Sequence, residues 1–166
     1  MDTSSLASAT IEAIHTFACE PVHPAWVDGS TTPIATSMAV LELSNGSLLR
    51  IAPCEVELEA GQYPSLGLEV TECDAAALQW QAPSGKTHFM QPLPAAMALL
   101  PFTVQSVAES DPLGEGPISE VSLSGVGGSH IVFRHIMPPM TLGIAVVLSG
   151  QAPNNSFKPT PLRGAA

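Results

Sequence analysis

Basic side chains are scarce in this chain. Its 166 residues include 5 Lys and Arg against 15 Asp and Glu, which gives a formal net charge of -10. Affinity for the phosphate backbone of nucleic acids comes mainly from clustered Lys and Arg. The sequence therefore excludes a nucleic-acid-binding protein and favours attraction to a basic partner.

Long apolar runs and an export signal are also missing. The two most apolar stretches, 93–104 and 137–148, are shorter than the roughly 20 residues that a spanning helix needs. The start of the chain carries Asp2 and Glu12 and has no basic segment before an apolar core. The 3 cysteines cannot all pair within one chain, which fits a reducing compartment. We therefore expect a cytoplasmic protein that does not associate with a membrane.

The common catalytic and cofactor-binding motifs do not occur either. There is no Gly-x-Ser-x-Gly nucleophile elbow, and the Gly-Lys-Thr sequence at 85–87 lacks the earlier glycine of a phosphate-binding loop. His15, Cys19 and His23 lie four residues apart in a segment predicted to be extended, so neighbouring members are about 13 Å apart and cannot share one zinc ion. We expect no metal and no cofactor.

A two-residue hydrophobic period runs through the chain. Short segments rich in Val, Ile, Leu, Phe and Thr end at Gly, Pro, Asn or Ser, which is typical of strands. The predicted strands are 10–19, 37–44, 48–53, 66–72, 102–108, 118–124, 130–137 and 141–149. With 13 Gly and 16 Pro, helix is limited to two short candidates at 74–80 and 93–100. The pattern predicts a mainly β, antiparallel protein.

The clearest turn is at Asn45-Gly46, which suits a type I′ hairpin. A two-residue loop would place Leu43 opposite Leu48 and Leu41 opposite Arg50. Arg50 would then share a face with leucines, and its partner would come from outside the hairpin.

The two halves of the chain show the same order of strands and loops. Both have a third strand that carries an arginine, Leu48-Leu49-Arg50 in one half and Val132-Phe133-Arg134 in the other. We expect a sandwich or flattened barrel built from two similar four-stranded meanders, with one or two short helices. Residues 1–150 would form a single globular β domain. Its possible halves are 8–73 and 101–150, joined by 74–100, where Trp80 and Phe89 would cover the junction.

The last residues differ from the rest in composition. Residues 151–166 are polar, contain proline and lack apolar periodicity, which predicts a disordered tail. Within them, NSFKPTPLRG resembles a string that ends many otherwise unrelated predicted bacterial proteins as a translated genomic repeat. The resemblance implies a bacterial source. With Lys158 and Arg163 in the tail, residues 1–150 keep three bases against 15 acids, a net charge of -12.

An acidic segment is the first candidate site. Glu55, Glu57 and Glu59 alternate with apolar residues, so a strand would place three carboxylates on one face, about 6 to 7 Å apart. This stripe, with Trp26 as an aromatic anchor on a loop, predicts a non-catalytic protein-interaction module for a basic protein. Small acidic hypothetical bacterial proteins look similar, and some of them are immunity proteins that neutralise a basic toxin. Alternatively, the stripe is a solvated edge strand and Trp26 covers the core.

A second hypothesis assigns the function to the arginines. Arg50 and Arg134 could hold an anion near His130 or His135, in a small ligand-binding or enzymatic β domain. Alternatively, each arginine pairs with a carboxylate of the chain itself. The candidates for that carboxylate are Glu69, Glu12 and Glu120.

Overall fold

The computed structural model describes residues 2–21 and 34–148, and these form fourteen strands and four short 3₁₀ helices. The strands are β1 (Thr10–Thr16), β2 (Glu20–Pro21), β3 (Ile34–Thr36), β4 (Ala39–Leu43), β5 (Leu48–Val56), β6 (Ser65–Cys73), β7 (Gln79–Gln81), β8 (Thr87–Phe89), β9 (Gln91–Pro92), β10 (Phe102–Thr103), β11 (Ser106–Ser110), β12 (Glu120–Ser124), β13 (His130–Ile136) and β14 (Thr141–Val147). The 3₁₀ helices are Ser4–Leu6, Ala75–Leu78, Pro94–Ala96 and Val126–Gly128. No helix in these two ranges is long and apolar enough to cross a membrane.

The strands form two antiparallel sheets and one small ribbon. Sheet A has the order β10-β1-β4-β5-β6, with β9 also paired to β1, and sheet B has the order β11-β12-β13-β14-β3-β2. Strands β7 and β8 pair only with each other in this part of the chain. The predicted mainly β antiparallel fold is therefore confirmed. Each half also supplies one four-stranded series, β1-β4-β5-β6 and β11-β12-β13-β14.

Three short strands pair with the sheet that is formed mainly by the other half of the chain. Strands β2 and β3, from the first half, extend sheet B, and β10, from the second half, extends sheet A. The predicted strand 102–108 is therefore two strands in different sheets. Val104 N donates to Ala9 O at 2.8 Å, whereas the next residue, Gln105, donates to Ser124 O at 2.8 Å.

Alternate residues of both sheets meet in one apolar core. On β13, Ile131 and Phe133 are fully buried in this core, whereas Arg134 has the opposite parity and lies on the outer face of sheet B. On β5, Leu49 and Ile51 are buried in the same core, and Arg50 lies on the outer face of sheet A. Burial of each such side chain contributes about 1.5–3 kcal/mol.

The hairpin between β4 and β5 corrects the predicted register. Leu43 N donates to Ser47 O at 3.0 Å, and Gly46 has a φ of +84°, so the loop has three residues and ends at a left-handed glycine. Leu41 then pairs with Leu49, and Arg50 pairs with Val40. The prediction that Arg50 faces Leu41 is wrong by one residue, and Arg50 shares the outer face with Glu42.

The two predicted helices are shorter than expected. Each is a single 3₁₀ turn, and the first is capped by the Asp74 carboxylate, which accepts from Ala76 N at 2.9 Å. The predicted helix 74–80 ends at Leu78 because the next three residues pair with β8 as strand β7.

The loop between β11 and β12 closes one end of the sandwich. The Asp111 carboxylate accepts from Gly114 N at 2.9 Å and from Gly116 N at 2.7 Å, which fixes the loop. Leu68 N of β6 then donates to Ile118 O at 2.7 Å. A Cβ at Gly67 would lie 3.0 Å from the Pro117 Cβ, so glycine permits this close approach.

Candidate functional site

The three glutamates of the predicted stripe do not share one strand. Glu55 belongs to β5, but β5 ends at Val56, so Glu57 and Glu59 lie in the connection to β6. The strand prediction is wrong for these two residues, because the chain turns back toward β6 and Gly61, in that turn, has a φ of +83°. All three glutamates are exposed. Trp26 and the tail 151–166 lie outside the described residues.

An open acidic cleft of about 350 Å³ lies beside Glu55 at one end of the sandwich. The end of β5 supplies Glu55, the start of β6, which pairs with it, and the residues just before β6 supply the adjoining side, and the loops after β11 and β13 complete the cleft. Its lining residues are Glu55, Tyr63, Pro64, Ser65, Leu66, Glu115 and Pro139. None of these is Lys or Arg, so among the described residues Glu55 and Glu115 set the charge of this acidic cleft.

Glu115 is held in place by the backbone of β6. Its Oε2 accepts a hydrogen bond from Leu66 N at 2.8 Å, across 49 residues of sequence. Tyr63 stands at the mouth of the cleft with 98% of its surface exposed. An aromatic ring and two carboxylates are the groups that attract a guanidinium or ammonium group. Neither Glu115 nor Tyr63 was predicted from the sequence.

The two arginines do not converge on one pocket. Arg50 lies on the outer face of sheet A, where its Nη2 donates to Glu69 Oε1 at 2.7 Å. Arg134 lies on the outer face of sheet B, where its Nε donates to Glu120 Oε2 at 2.6 Å. Glu69 and Glu120 are both among the carboxylates that the sequence offered as internal partners for the arginines. The anion-binding hypothesis requires one shared site, and this geometry does not support it.

His135 joins the two sheets. It is fully buried, and its Nε2 accepts from Met140 N at 2.9 Å. Its Nδ1 therefore carries the proton and donates to Gly67 O of β6 at 2.8 Å. His130 lies five residues earlier on β13 and faces the opposite side of sheet B, as predicted. Within residues 2–21 and 34–148, no group of three or more His, Cys, Asp or Glu side chains could hold a metal ion.

The thiols in sheet A are poor nucleophiles. Burial raises the pKa of Cys54, and the nearby Glu69 carboxylate raises it further. Burial also raises the pKa of Cys73, partly offset by Arg50. Both thiols are therefore protonated near neutral pH, and this environment does not activate them.

A second cleft was not predicted from the sequence. The ribbon of β7 and β8 carries Trp80 and Phe89, which are 53% and 61% exposed. They stand on a ribbon of only two strands, and their exposure does not support the expectation that they cover the junction between the halves. We call the adjacent space of about 630 Å³ the aromatic cleft. It is lined by Phe17, Ala18, Ser37, Met38, Trp80, His88, Phe89 and Gln91.

The sequence signal for the ribbon is a short alternation of polar and apolar residues on both sides of Gly85. Gly85 has a φ of +85°, and Ala82 N donates to Lys86 O at 2.8 Å to close the turn. Trp80 and His88 then stand directly opposite each other, with ring centroids 5.2 Å apart and planes inclined by 32°. In the sequence, 85–87 stood out only as an incomplete phosphate-binding motif.

Comparison of the chain with protein-family models, with curated proteins and with solved structures found no match in any of the three. Function is therefore inferred from the chemistry of the two clefts.

Proposed function

We propose that this chain is a cytoplasmic interaction module that binds a basic protein partner through the acidic cleft. One observation carries the proposal. Glu55, Glu115 and the exposed Tyr63 line the same open cleft, and none of the described residues that line it is Lys or Arg. Such a cleft is suited to a cationic side chain of a partner.

The chemistry favours arginine or lysine as the inserted group. A guanidinium can donate to two carboxylates through its planar fork and stack its face on a tyrosine ring. Glu115 is already oriented by Leu66 N, so less conformational entropy is lost when a cation binds it. The exposed Glu57 and Glu59 extend the negative surface beyond the cleft.

The charge of the whole chain supports the same proposal. A net charge of -10 attracts a basic protein over long range, and this attraction accelerates association at low ionic strength. The cleft would then fix the orientation of the partner at short range. Net charge alone cannot provide this second step, because it does not distinguish one acidic surface from another.

The test uses a fluorescein-labelled hexa-arginine peptide as a stand-in for the partner's basic surface. Its affinity is measured by fluorescence anisotropy at low salt and at about 0.5 M salt, where the Debye length falls well below 10 Å. The double variant Glu55→Gln/Glu115→Gln keeps the shape of both side chains and an oxygen that can accept from Leu66 N. The control Glu12→Gln/Glu72→Gln removes the same charge from exposed carboxylates at the other end of sheet A.

The cleft variant should bind the peptide more weakly than the control does. Two exposed ion pairs contribute about 1 kcal/mol together, so the affinity should fall about fivefold. The control should change the affinity by less than about twofold, because its charges lie far from the bound peptide. Equal losses in both variants would show that only net charge acts and would contradict the proposal.

A further inference from the structure

We propose that the aromatic cleft binds an uncharged, planar aromatic small molecule. This inference is independent of the acidic cleft, which shares none of its lining residues. It rests on the exposure of the aromatic rings, on the size and polarity of the cleft, and on the described part of its lining, which contains no carboxylate.

Large aromatic side chains are exposed here, although the chain buries others. Phe102 and Phe133 are at most 3% exposed in the core, whereas Trp80 and Phe89 are more than half exposed beside the aromatic cleft. Aromatic rings of this size are major contributors to binding when a flat ligand covers them. The paired rings of Trp80 and His88 form one wall on which such a ligand can stack.

The opposite wall belongs to sheet A. Met38 precedes β4 and has the same parity as Glu42, so its side chain lies on the outer face of the sheet. Phe17 follows the end of β1, next to β4. The ligand would therefore lie between the outer face of sheet A and the β7–β8 ribbon, with apolar groups on both sides.

The size and polarity of the aromatic cleft fit a small molecule. A volume of about 630 Å³ lies within the range of about 300–1,000 Å³ that is usual for small-ligand sites. Such sites are mostly apolar and have a few polar groups that fix orientation. Ser37, His88 and Gln91 are the polar side chains in this lining, and each can make a hydrogen bond to a heteroatom at the ligand's edge.

The described lining of the aromatic cleft favours an uncharged ligand. Within residues 2–21 and 34–148, no Asp, Glu, Lys or Arg side chain is found in the lining of the aromatic cleft. A net charge of -10 would also repel an anion, so a neutral aromatic compound is the best match.

The test is a fluorescence titration with N-phenyl-1-naphthylamine, an uncharged aromatic dye. The full-length protein should bind the dye saturably and should bind the anionic dye 8-anilinonaphthalene-1-sulfonate more weakly. Trp80→Ala should weaken binding of the neutral dye about tenfold, as expected when a stacked ring is lost. Trp80→Phe, which keeps a flat ring, should restore most of the affinity.

Crossed controls separate this inference from the proposed function. Tyr63→Ala, at the mouth of the acidic cleft, should leave binding of the neutral dye unchanged. Trp80→Ala should leave the affinity for hexa-arginine unchanged. Phe89→Ala provides a second variant at an exposed position, in case Trp80→Ala alters the circular dichroism of the protein.

Two results would overturn the inference. The first is an affinity for the neutral dye that is the same in the natural protein, Trp80→Ala and Phe89→Ala. The second is a concentration-dependent dimer, detected by light scattering, that Trp80→Ala abolishes. That dimer would show that a second copy of the chain, rather than a small molecule, covers the aromatic cleft.

Discussion

Replacement of each outer-face arginine by methionine provides an internal comparison of two ion pairs. Arg50 and Arg134 lie at matched positions on the third strand of each four-stranded series. Their burial differs, however. The side chains of Arg50 and Glu69 are 36% and 40% exposed, whereas those of Arg134 and Glu120 are 8% and 18% exposed.

The expected losses of stability follow from this difference. Removal of one partner from a buried ion pair typically costs 3–5 kcal/mol, because a charge is left uncompensated. Glu120 also accepts a hydrogen bond from Ser110 Oγ at 3.2 Å, so we place the cost of Arg134→Met at the low end, about 3 kcal/mol. An exposed pair contributes about 0–1 kcal/mol, so Arg50→Met should cost no more than about 1 kcal/mol.

Urea denaturation followed by circular dichroism measures both values. With an m value of about 2 kcal/mol per M, Arg134→Met should lower the midpoint by about 1.5 M and Arg50→Met by at most about 0.5 M. Glu120→Leu added to Arg134→Met should recover part of the loss, because it removes the uncompensated carboxylate. Equal midpoint shifts in the two single variants would refute the reasoning, since burial would then not determine the contribution of the pair.

Two further predictions concern packing and thiol chemistry. Gly125→Ala should lower the free energy of unfolding by about 1–3 kcal/mol, because its Cβ would lie 2.5 Å from Cε2 of the buried Phe102. Phe102→Leu in the same chain should cancel part of that loss in a double-mutant cycle, and strict additivity would argue against the clash. Cys54 and Cys73 should react more slowly with iodoacetamide at mildly alkaline pH in the folded protein than in guanidinium, because their raised pKa lowers the thiolate fraction. Mass spectrometry resolves the two sites, and equal rates in both states would contradict the expected protection.

The fold was predictable because its signals are local. Alternating apolar residues bounded by Gly, Pro and Asn indicated eight strands, and seven of them correspond to single strands of the two sheets. The register of the first hairpin was not predictable. Asn45-Gly46 suits a two-residue loop and also suits the end of a three-residue loop, and only the position of the left-handed glycine distinguishes them.

The remaining errors involve contacts between distant parts of the chain. In residues 102–108 the alternation breaks at Gln105-Ser106, two consecutive polar residues, and the chain changes sheet at this break, because Val104 and Gln105 bond to different sheets; the prediction of one strand overlooked that signal. Glu55 was identified from its neighbours in sequence. Glu115 was not, because it joins the acidic cleft through a backbone contact 49 residues away. The aromatic cleft was not predicted for the same reason, since Phe17 and Trp80 are far apart in sequence and line the same cleft only after folding.

The central claim is that a cationic partner binds at the acidic cleft rather than to the acidic surface in general. Titration of the ¹⁵N-labelled protein with hexa-arginine, followed by two-dimensional NMR, locates the bound peptide directly. The account predicts that the largest amide shifts fall on Glu55, Leu66 and Glu115, with small shifts at Glu12 and Glu72. Shifts of equal size at all five residues would contradict it.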